Sequence, residues 1–191
     1  MARAIAICNQ KGGVGKSTTA VNVGSYLALE GKRVLLIDLD PQGNATTACG
    51  IPRKDLQQDV YHVLVNGLPI ESAIRKTAVE RLDLIPATLD LAGAEPYLTN
   101  LERREVTLKE LCEPLKAAYE FLLFDCPPAR SLLTINALVA ADSTIIPVQC
   151  EYLALEGLNA LMRAITMIKQ TLNPSLRVGG IVLTMTDFRA N

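Results

Sequence analysis

The sequence predicts an α/β fold with a mainly parallel β-sheet and helices on both faces. Two observations indicate this class. Short apolar runs rich in β-branched residues alternate with longer stretches of helical periodicity, which is the pattern of βαβ units. Hydrophobic residues make up 49% of the 191 residues and the mean hydropathy is +0.23. Strands buried on both sides of a parallel sheet give a chain this composition.

Six strands are predicted, and each run is short and bounded by Gly, Pro or Asp. They span residues 4–8, 33–38, 82–86, 120–125, 143–148 and 178–185. Ligands of parallel sheets bind outside the carboxyl ends of the strands. Glycine, lysine and carboxylates follow these runs, so one edge of the sheet is expected to hold a phosphate and a metal ion.

Helices are predicted at residues 16–30, 101–119 and 155–172. The first stops at Gly31, a residue that often follows a helix, and Pro114 is expected to split or kink the second. In the third, leucines and isoleucines recur at three- and four-residue steps. Residues 50–77 are expected to form short helices and loops. Without repeats or linkers, residues 1–191 are interpreted as a single domain.

Charge and cysteine content limit the possible functions. The net charge is -1, from 19 basic and 20 acidic residues, so any nucleic-acid contact needs a local patch. Five cysteines without a CxxC pattern argue against disulfides or a zinc site. Cys8, Cys126 and Cys150 lie in or after strand-like runs and are expected to be small buried residues. The absence of a long apolar run makes a cytoplasmic protein the expectation.

The stretch "NQKGGVGKSTT" lies between the first predicted strand and the first predicted helix. Its glycines let backbone N–H groups approach phosphate oxygens, and the helix directs its positive end to the same place. Lys16 would reach the β- and γ-phosphates, and the Ser17 hydroxyl would ligate Mg²⁺. The general pattern has glycine where this chain has Gln10. The alternative is a glycine-rich turn with a solvated lysine.

Three aspartates close predicted strands. Asp38 and Asp40 end the second strand, with one residue between them, and both are expected to lie near the loop. Asp125 closes an apolar run, which is the usual support for Mg²⁺ through a water molecule. The alternative roles are helix caps and turn formation, and for Asp38 these compete seriously with a metal role.

Four other polar residues were considered. His62 has no visible partner and is interpreted as structural or solvated, and Arg130 as a solvated charge in a switch segment. Gln149 and Glu151 follow a strand on the ligand edge. Both residues are candidates for a dimer face. For Glu151 the alternative is a cap of the next helix.

The segment "KGGVGKST" resembles the deviant Walker A motif of the ParA/MinD family of ATPases, a group with a P-loop NTPase-like fold. "LLIDLDPQGNATT", "LLFDCPP" and "GIVLTM" are similar to the ParA (Soj) branch, and the resemblance runs from residue 2 to the end. It implies a homodimer that encloses two ATP molecules, with Lys11 crossing into the partner's site. Without the resemblance, Lys11 is a surface lysine before a turn.

The resemblance assigns roles to individual residues. Catalytic roles fall on Lys11, Lys16 and Asp40, of which Asp40 positions the attacking water. Asp38 would support the magnesium shell or a switch loop, beside Ser17 and Asp125. The ATP-binding residues would be Lys11, Gly12, Gly13, Val14, Gly15, Lys16, Ser17 and Thr18. Residues 184–187 are expected to contribute to the adenine pocket.

The function implied is an ATP-driven switch that partitions chromosomes or plasmids, with slow Mg²⁺-dependent hydrolysis. A ParB-like activator and nonspecific DNA are the expected partners, with weak DNA binding by this chain and a cytoplasmic or nucleoid location. No membrane partner is expected, because a MinD-like alternative needs a C-terminal basic amphipathic helix. A nucleotide-binding module without turnover is the other alternative. The chain is also expected to lack the C-terminal helices of its relatives and to expose apolar surface near its last strand.

Overall fold

A seven-stranded sheet forms the centre of the molecule. The computed structural model describes residues 2–54, 56–128, 131–151 and 154–186. The strand order is β3-β4-β2-β5-β1-β6-β7, and β3 against β4 is the only antiparallel pair in the described sheet. The prediction of a mainly parallel sheet is therefore confirmed. The strands are β1 (Arg3–Ile7), β2 (Val34–Asp38), β3 (Arg75–Lys76), β4 (Leu82–Ile85), β5 (Phe121–Asp125), β6 (Ser143–Gln149) and β7 (Arg177–Thr184).

Helices cover both faces of the sheet, as predicted. One core cluster joins α1 and α2 to one face, and the other joins α3 to α7 to the opposite face. None of the helices in the described segments is long and apolar enough to cross a membrane. The helices are α1 (Lys16–Leu29), α2 (Asn44–Ala48), α3 (Val60–Asn66), α4 (Ala94–Thr99), α5 (Thr107–Cys112), α6 (Leu132–Ala140) and α7 (Ala154–Thr171), with 3₁₀ turns at Ile70–Ala73, Leu89–Gly93 and Pro114–Ala117.

Helix α1 packs closely on the central strands because its buried stripe is made of small residues. Ala20, Gly24 and Ala28 face the sheet. A Cβ atom at Gly24 would come within 3.2 Å of Leu82 and 3.3 Å of Leu123. This close approach fixes the N-terminus of α1 directly beyond the carboxyl end of β1, where the glycine-rich loop lies.

Four elements were not predicted from the sequence: the short helices α2 and α4, helix α6 and strand β3. Helix α6 was not predicted because residues on nearly every side of it are buried, so it has no amphipathic period. Strand β3 is only two residues long and has no strand pattern of its own. By contrast, the expected break at Pro114 is present, since α5 ends at Cys112 and a 3₁₀ turn follows.

Strand β7 lies at the edge of the sheet and pairs with β6 alone. Its apolar side chains are exposed on both faces, with Ile181 at 50% and Val182 at 39% of full exposure. Exposed apolar surface near the last strand was expected from the sequence, and the structure contains it.

The surroundings of the cysteines and of the histidine differ in two respects from what the sequence indicated. Cys8, Cys112 and Cys126 are buried, and burial raises the pKa of Cys8 to about 11. Cys150 is exposed, so the expectation that it is buried is wrong. His62 has a partner that the sequence did not reveal, because its Nδ1 lies 2.6 Å from Oδ1 of Asp59, the N-cap residue of α3.

Candidate phosphate-binding site

Three neighbouring strands end beside one another at the candidate site. Ile7 at the end of β1 pairs with Asp125 at the end of β5, and Asp125 pairs with Asp38 at the end of β2. The backbone N–H of Leu39 donates to the Asp125 carbonyl at 2.9 Å, which extends the parallel pairing by one residue. The loop after β1 and the aspartates therefore meet at the carboxyl edge of the sheet.

The loop between β1 and α1 has the backbone of an anion-binding turn. Gly13 and Gly15 have φ angles of 73° and 83°, in the left-handed region that favours glycine. Gly15 is the N-cap of α1 and no side chain caps the helix. The first N–H groups of α1 are thus left for a ligand, at the positive end of a 14-residue helix.

Lys16 provides a buried cation at this helix end. Its side chain is 6% exposed and its Nζ donates to the Lys11 carbonyl at 3.1 Å. Burial lowers the pKa of Lys16, while the carboxylates of Asp125 and Asp40 act in the opposite direction. The ammonium group of Lys16 therefore lies within the electrostatic field of both aspartates. A site with one buried cation and two carboxylates suits a ligand that carries phosphate and a divalent cation.

A cleft of about 610 Å³ opens over the loop. Seven of the predicted site residues line it: Gly12, Gly13, Gly15, Lys16, Ser17, Thr18 and Asp40. Val14 is buried beneath the loop at 1% exposure, and Asp38 and Asp125 are fully buried behind it. Lys11 does not line the cleft either, and its side chain is 40% exposed.

Asp38 is saturated with hydrogen bonds from the next segment of the chain. Its Oδ2 accepts from the Thr46 backbone N–H at 2.8 Å and from the Thr46 hydroxyl at 2.7 Å. Its Oδ1 accepts from the Asp40 N–H at 3.1 Å. Burial raises the pKa of Asp38 to about 6, although the bonds from Thr46 and Asp40 lower it. These contacts favour support of the loop after β2, and a metal role for Asp38 stays a prediction.

Asp40 presents its carboxylate to the cleft from a fixed turn. Its Oδ1 accepts from the Gln42 N–H at 2.9 Å, and its carbonyl accepts from the Gly43 N–H at 2.8 Å. The side chain is 6% exposed and shares the cleft wall with Lys16. A carboxylate held in this way is suited to orient a water molecule beside a bound phosphate.

Asp125 is a buried carboxylate whose neighbour, the Ser17 hydroxyl, does not form a hydrogen bond of good geometry with it. Within the described residues, neither of its oxygens has a hydrogen-bond partner of good geometry. Burial, followed by the charge of Asp38, raises the pKa of Asp125 to about 8, whereas Ser17 and Lys16 lower it. Buried polar atoms are normally satisfied, so these two oxygens indicate a missing positive partner.

The residues present fit Mg²⁺ at this position. Asp125 supplies unpaired anionic oxygens, and the Ser17 hydroxyl acts on the same carboxylate. No group of three or more His, Cys, Asp or Glu side chains suited to a metal ion occurs among the residues described. Mg²⁺ is commonly held by one or two protein groups together with water and substrate phosphates, and such a site needs no larger cluster.

Lys11 is held at the mouth of the site by two contacts. Its backbone N–H donates to Oδ1 of Asn9 at 3.1 Å, and the Asn9 amide donates to the Pro147 carbonyl at 2.7 Å. Its ammonium group forms an ion pair with the Glu151 carboxylate. Glu151 is expected from the sequence to line a dimer face or to cap the next helix; the structure gives its side chain this ion pair, and both roles stay predictions.

Sequence reasoning missed several residues of the cleft wall. Asn22 lies one helical turn after Thr18 and donates to the Thr18 carbonyl at 2.8 Å, so helical periodicity was an available signal. Gln42 and Asn44 belong to the loop after β2, which was recognised without naming them. Arg130 and Asp187 lie outside the described residues. The full set of missed residues is Val21, Asn22, Gln42, Asn44, Ala48 and Pro128, whereas Met185 lies within the range 184–187 that was expected to contribute to the nucleotide pocket.

P-loop nucleoside triphosphatases share a strand, a glycine-rich loop and a helix, with a buried lysine close to aspartates at the strand ends. This chain has that arrangement and is of that class. Residues 2–178 match the family model described as an AAA domain. The sequence relatives narrow the assignment: the chain belongs to the ParA/Soj family of partitioning ATPases.

Three similar proteins illustrate the likeness. The sporulation initiation inhibitor protein Soj of Bacillus subtilis (strain 168) is 53% identical over 191 residues, which are 100% of this chain and 76% of that protein. The chromosome partitioning protein ParA of Myxococcus xanthus (strain DK1622) is 50% identical over 189 residues, 99% of this chain and 67% of that protein. The crystal structure of cobyrinic acid a,c-diamide synthase from Mycobacterium smegmatis with ADP and magnesium has a TM-score of 0.95 and 40% identity, covering 99% of this chain and 77% of that one.

Proposed function

We propose that this chain binds Mg²⁺-ATP and hydrolyses it slowly, as a dimerising switch for partitioning chromosomes or plasmids. The proposal rests on one observation: a glycine-rich loop and the buried Lys16 lie close to the carboxylate of Asp125, whose oxygens have no hydrogen-bond partner of good geometry among the described residues. The ADP and magnesium in the related M. smegmatis structure support the choice of ligand. The activity named for that protein is a different one and is not transferred to this chain.

The phosphate groups would be held by the loop and the start of α1. Residues 12, 13 and 15–18 line the cleft, so their backbone N–H groups are available to phosphate oxygens, and Lys16 would exchange its bond to the Lys11 carbonyl for β- and γ-phosphate oxygens. Charge-assisted bonds of this kind are about twice as strong as neutral ones. Val14 contributes to the loop from beneath, where its buried side chain anchors the turn.

Mg²⁺ would be supported by the Ser17 hydroxyl and, directly or through water, by Asp125. When bound, the ion supplies positive charge that neutralises the phosphate oxygens. Asp125 would then gain the partner that its oxygens lack. Asp38, which is already occupied by Thr46, would support this group by holding the loop after β2 in place.

Asp40 would position the attacking water, because its carboxylate lines the cleft with a fixed orientation. Phosphoryl transfer depends mainly on positioning and electrostatics, so Asp40 need not act as a strong base. Within one chain, Lys16 is the cation of the cleft wall. Slow turnover is expected as long as no second cation reaches the γ-phosphate.

Lys11 would be that second cation, supplied by the partner subunit of an ATP-bound homodimer. Its ammonium lies outside the cleft of its own chain and is 40% exposed, so it is available to another molecule. A cation supplied in trans would stabilise the charge of the transferring phosphoryl group, as arginine fingers do. This arrangement couples hydrolysis to dimerisation.

The remaining partners follow from family membership. A ParB-like protein would stimulate hydrolysis, and DNA would be bound without sequence preference. With a net charge of -1, this chain is expected to bind DNA weakly. The proposed location is the cytoplasm or the nucleoid, and a membrane-surface role of the MinD type is the weaker alternative.

Multiple-turnover phosphate release tests the proposal. Purified protein with Mg²⁺ and ATP should release more than one phosphate per chain, and the release should disappear when EDTA is added. Turnover per chain should rise with protein concentration, because the active form is a dimer. Release of one phosphate or none, with ATP still bound, would favour a binding module. Co-sedimentation with anionic liposomes would favour the membrane alternative.

A further inference from the structure

The end of β7 touches the phosphate loop from outside. The hydroxyl of Thr184 donates to the carbonyl oxygen of Val14 at 2.9 Å, although the two residues are 170 positions apart. Thr184 pairs with Gln149 at the end of β6, which places it at the carboxyl edge of the sheet. The loop is thereby attached to the sheet at a point other than its own two ends.

This bond fixes the orientation of one peptide group of the loop. The C=O and N–H of a trans peptide point in opposite directions, and the structure contains no cis peptide bond among the residues described. With the Val14 carbonyl held towards β7, the N–H of Gly15 is directed away from β7. Gly15 lines the phosphate cleft and is the N-cap of α1, so this N–H belongs to the group that faces a bound phosphate.

We propose that Thr184 is a positioning residue for nucleotide binding, which aims the Gly15 N–H by holding the Val14 carbonyl. The inference rests on the proposed nucleotide site and adds a residue outside the glycine-rich loop. Thr184 does not touch the phosphates in this role. It acts through the loop backbone and would do so both in the empty and in the loaded site.

A second contact supports the same role. The Cγ2 methyl of Thr184 lies 3.6 Å from the position that a Cβ of Gly15 would take, so the side chain also packs against the loop. The next residue, Met185, has a φ of 52° and lines the cleft. A left-handed conformation is costly for a side chain of this type and persists only where its surroundings hold it. The tether at Thr184 is a contact immediately beside this turn.

The bond is also independent of the ligand. Lys16 donates to the Lys11 carbonyl in the empty site, and this contact would be given up when phosphate is bound. The Thr184 hydroxyl is bonded to the Val14 carbonyl, and in the proposed role it does not exchange this bond for one to a phosphate oxygen. The tether therefore prepares the loop before the nucleotide arrives, which lowers the cost of ordering it on binding.

The test compares Thr184→Val with Thr184→Ser. Valine keeps the shape and removes the donor, whereas serine keeps the donor. In nucleotide-free protein, hydrogen exchange of the Thr19 amide, which donates to the Gly15 carbonyl at 2.8 Å, should become faster with valine and stay near wild type with serine. Calorimetry with Mg²⁺-ADP should give a Kd about tenfold weaker for the valine variant, the upper end of what one neutral hydrogen bond contributes. Thr184→Ala, which also removes the methyl, should weaken binding at least as much.

Two results would overturn the proposal. One is a valine variant whose Thr19 amide exchange and Kd for Mg²⁺-ADP equal those of the wild type. The other is a serine variant as impaired as the valine variant. A purely structural role would lower the unfolding midpoint without changing the Kd. If the wild type itself bound no Mg²⁺-ADP, the proposed function would fail, while the exchange measurement would still decide whether the tether orders the loop.

Discussion

The ammonium group of Lys11 is paired with the carboxylate of Glu151, a residue 140 positions further along the chain. The two side chains are 40% and 46% exposed. Exposed pairs of this kind contribute at most about 1 kcal/mol. The pair is thus a weak restraint on Lys11, which the proposed mechanism requires to leave its own chain and enter the partner's site.

Glu151→Gln should release this restraint and favour the ATP-bound dimer. The protein concentration at half-dimerisation should fall by up to about thirtyfold, because each of the two subunits releases one pair worth at most about 1 kcal/mol. Light scattering over a concentration series with a non-hydrolysable ATP analogue measures it. Glu110→Gln is the matched control, because Glu110 forms an exposed pair with Arg103. Weaker dimerisation of the Glu151 variant would mean that this carboxylate belongs to the dimer interface instead.

Much of the fold was predictable because the central strands are continuous apolar runs whose ends carry turn residues. Strand β3 was not predicted because two residues show no periodic pattern. Helix α6 was not predicted because burial on most of its sides leaves it without a polar face. The loop residues and Asp125 followed from local patterns. The contacts of Lys11 with Glu151 and of Val14 with Thr184 could not be predicted from local patterns, because they join residues 140 and 170 positions apart.

Lys16→Ala should remove ATP binding while leaving the protein folded. The ammonium is buried at the helix end and its bonds to phosphate would be charge-assisted, so its loss should weaken binding by roughly tenfold to a hundredfold or more. Calorimetry with Mg²⁺-ATP measures the change. Lys11→Ala is the control and should bind ATP nearly as well as the wild type in the monomer. An unchanged Kd for Lys16→Ala would show that the loop is not the phosphate site.

Asp40→Ala should keep ATP binding and lose hydrolysis. Positioning of water matters on the way to the transition state and contributes little to ground-state binding. Calorimetry and phosphate release on the same preparation separate the two effects. Asp90→Ala, at an exposed position in a 3₁₀ turn, should change neither quantity. If binding and turnover fell in parallel, Asp40 would have a structural or metal-supporting role.

Thr46→Val should destabilise the protein by about 1–3 kcal/mol, the cost of leaving buried polar groups unsatisfied. The Thr46 hydroxyl donates to buried Asp38 at 2.7 Å and accepts from the Ala87 N–H at 3.0 Å, which joins the ends of β2 and β4. Urea unfolding measures the change. Thr166→Val on the exposed face of α7 is the control and should have a much smaller effect. Equal stabilities of the two variants would remove the structural role assigned to the Asp38 contacts.

Asp125→Asn should make the nucleotide-free protein more stable at alkaline pH, although it removes the carboxylate proposed to support Mg²⁺. Burial raises the pKa of Asp125 from the ordinary 3.8 to about 8, so the folded state holds a proton that the unfolded state releases. The stabilising contribution is therefore complete below pH 3.8 and is lost as pH rises to about 8.

Asparagine does not titrate, and the advantage of the variant should grow across this range. Urea unfolding in metal-free buffer should show little difference between the proteins near pH 4. Near pH 8 the variant should be more stable by several kcal/mol, because each unit by which the pKa of Asp125 is raised corresponds to about 1.4 kcal/mol. Mg²⁺-ADP should then stabilise the wild type more than the variant, because only the carboxylate gains a partner. A stability difference that is constant from pH 5 to pH 8 would mean that Asp125 is not the strained buried acid of this site.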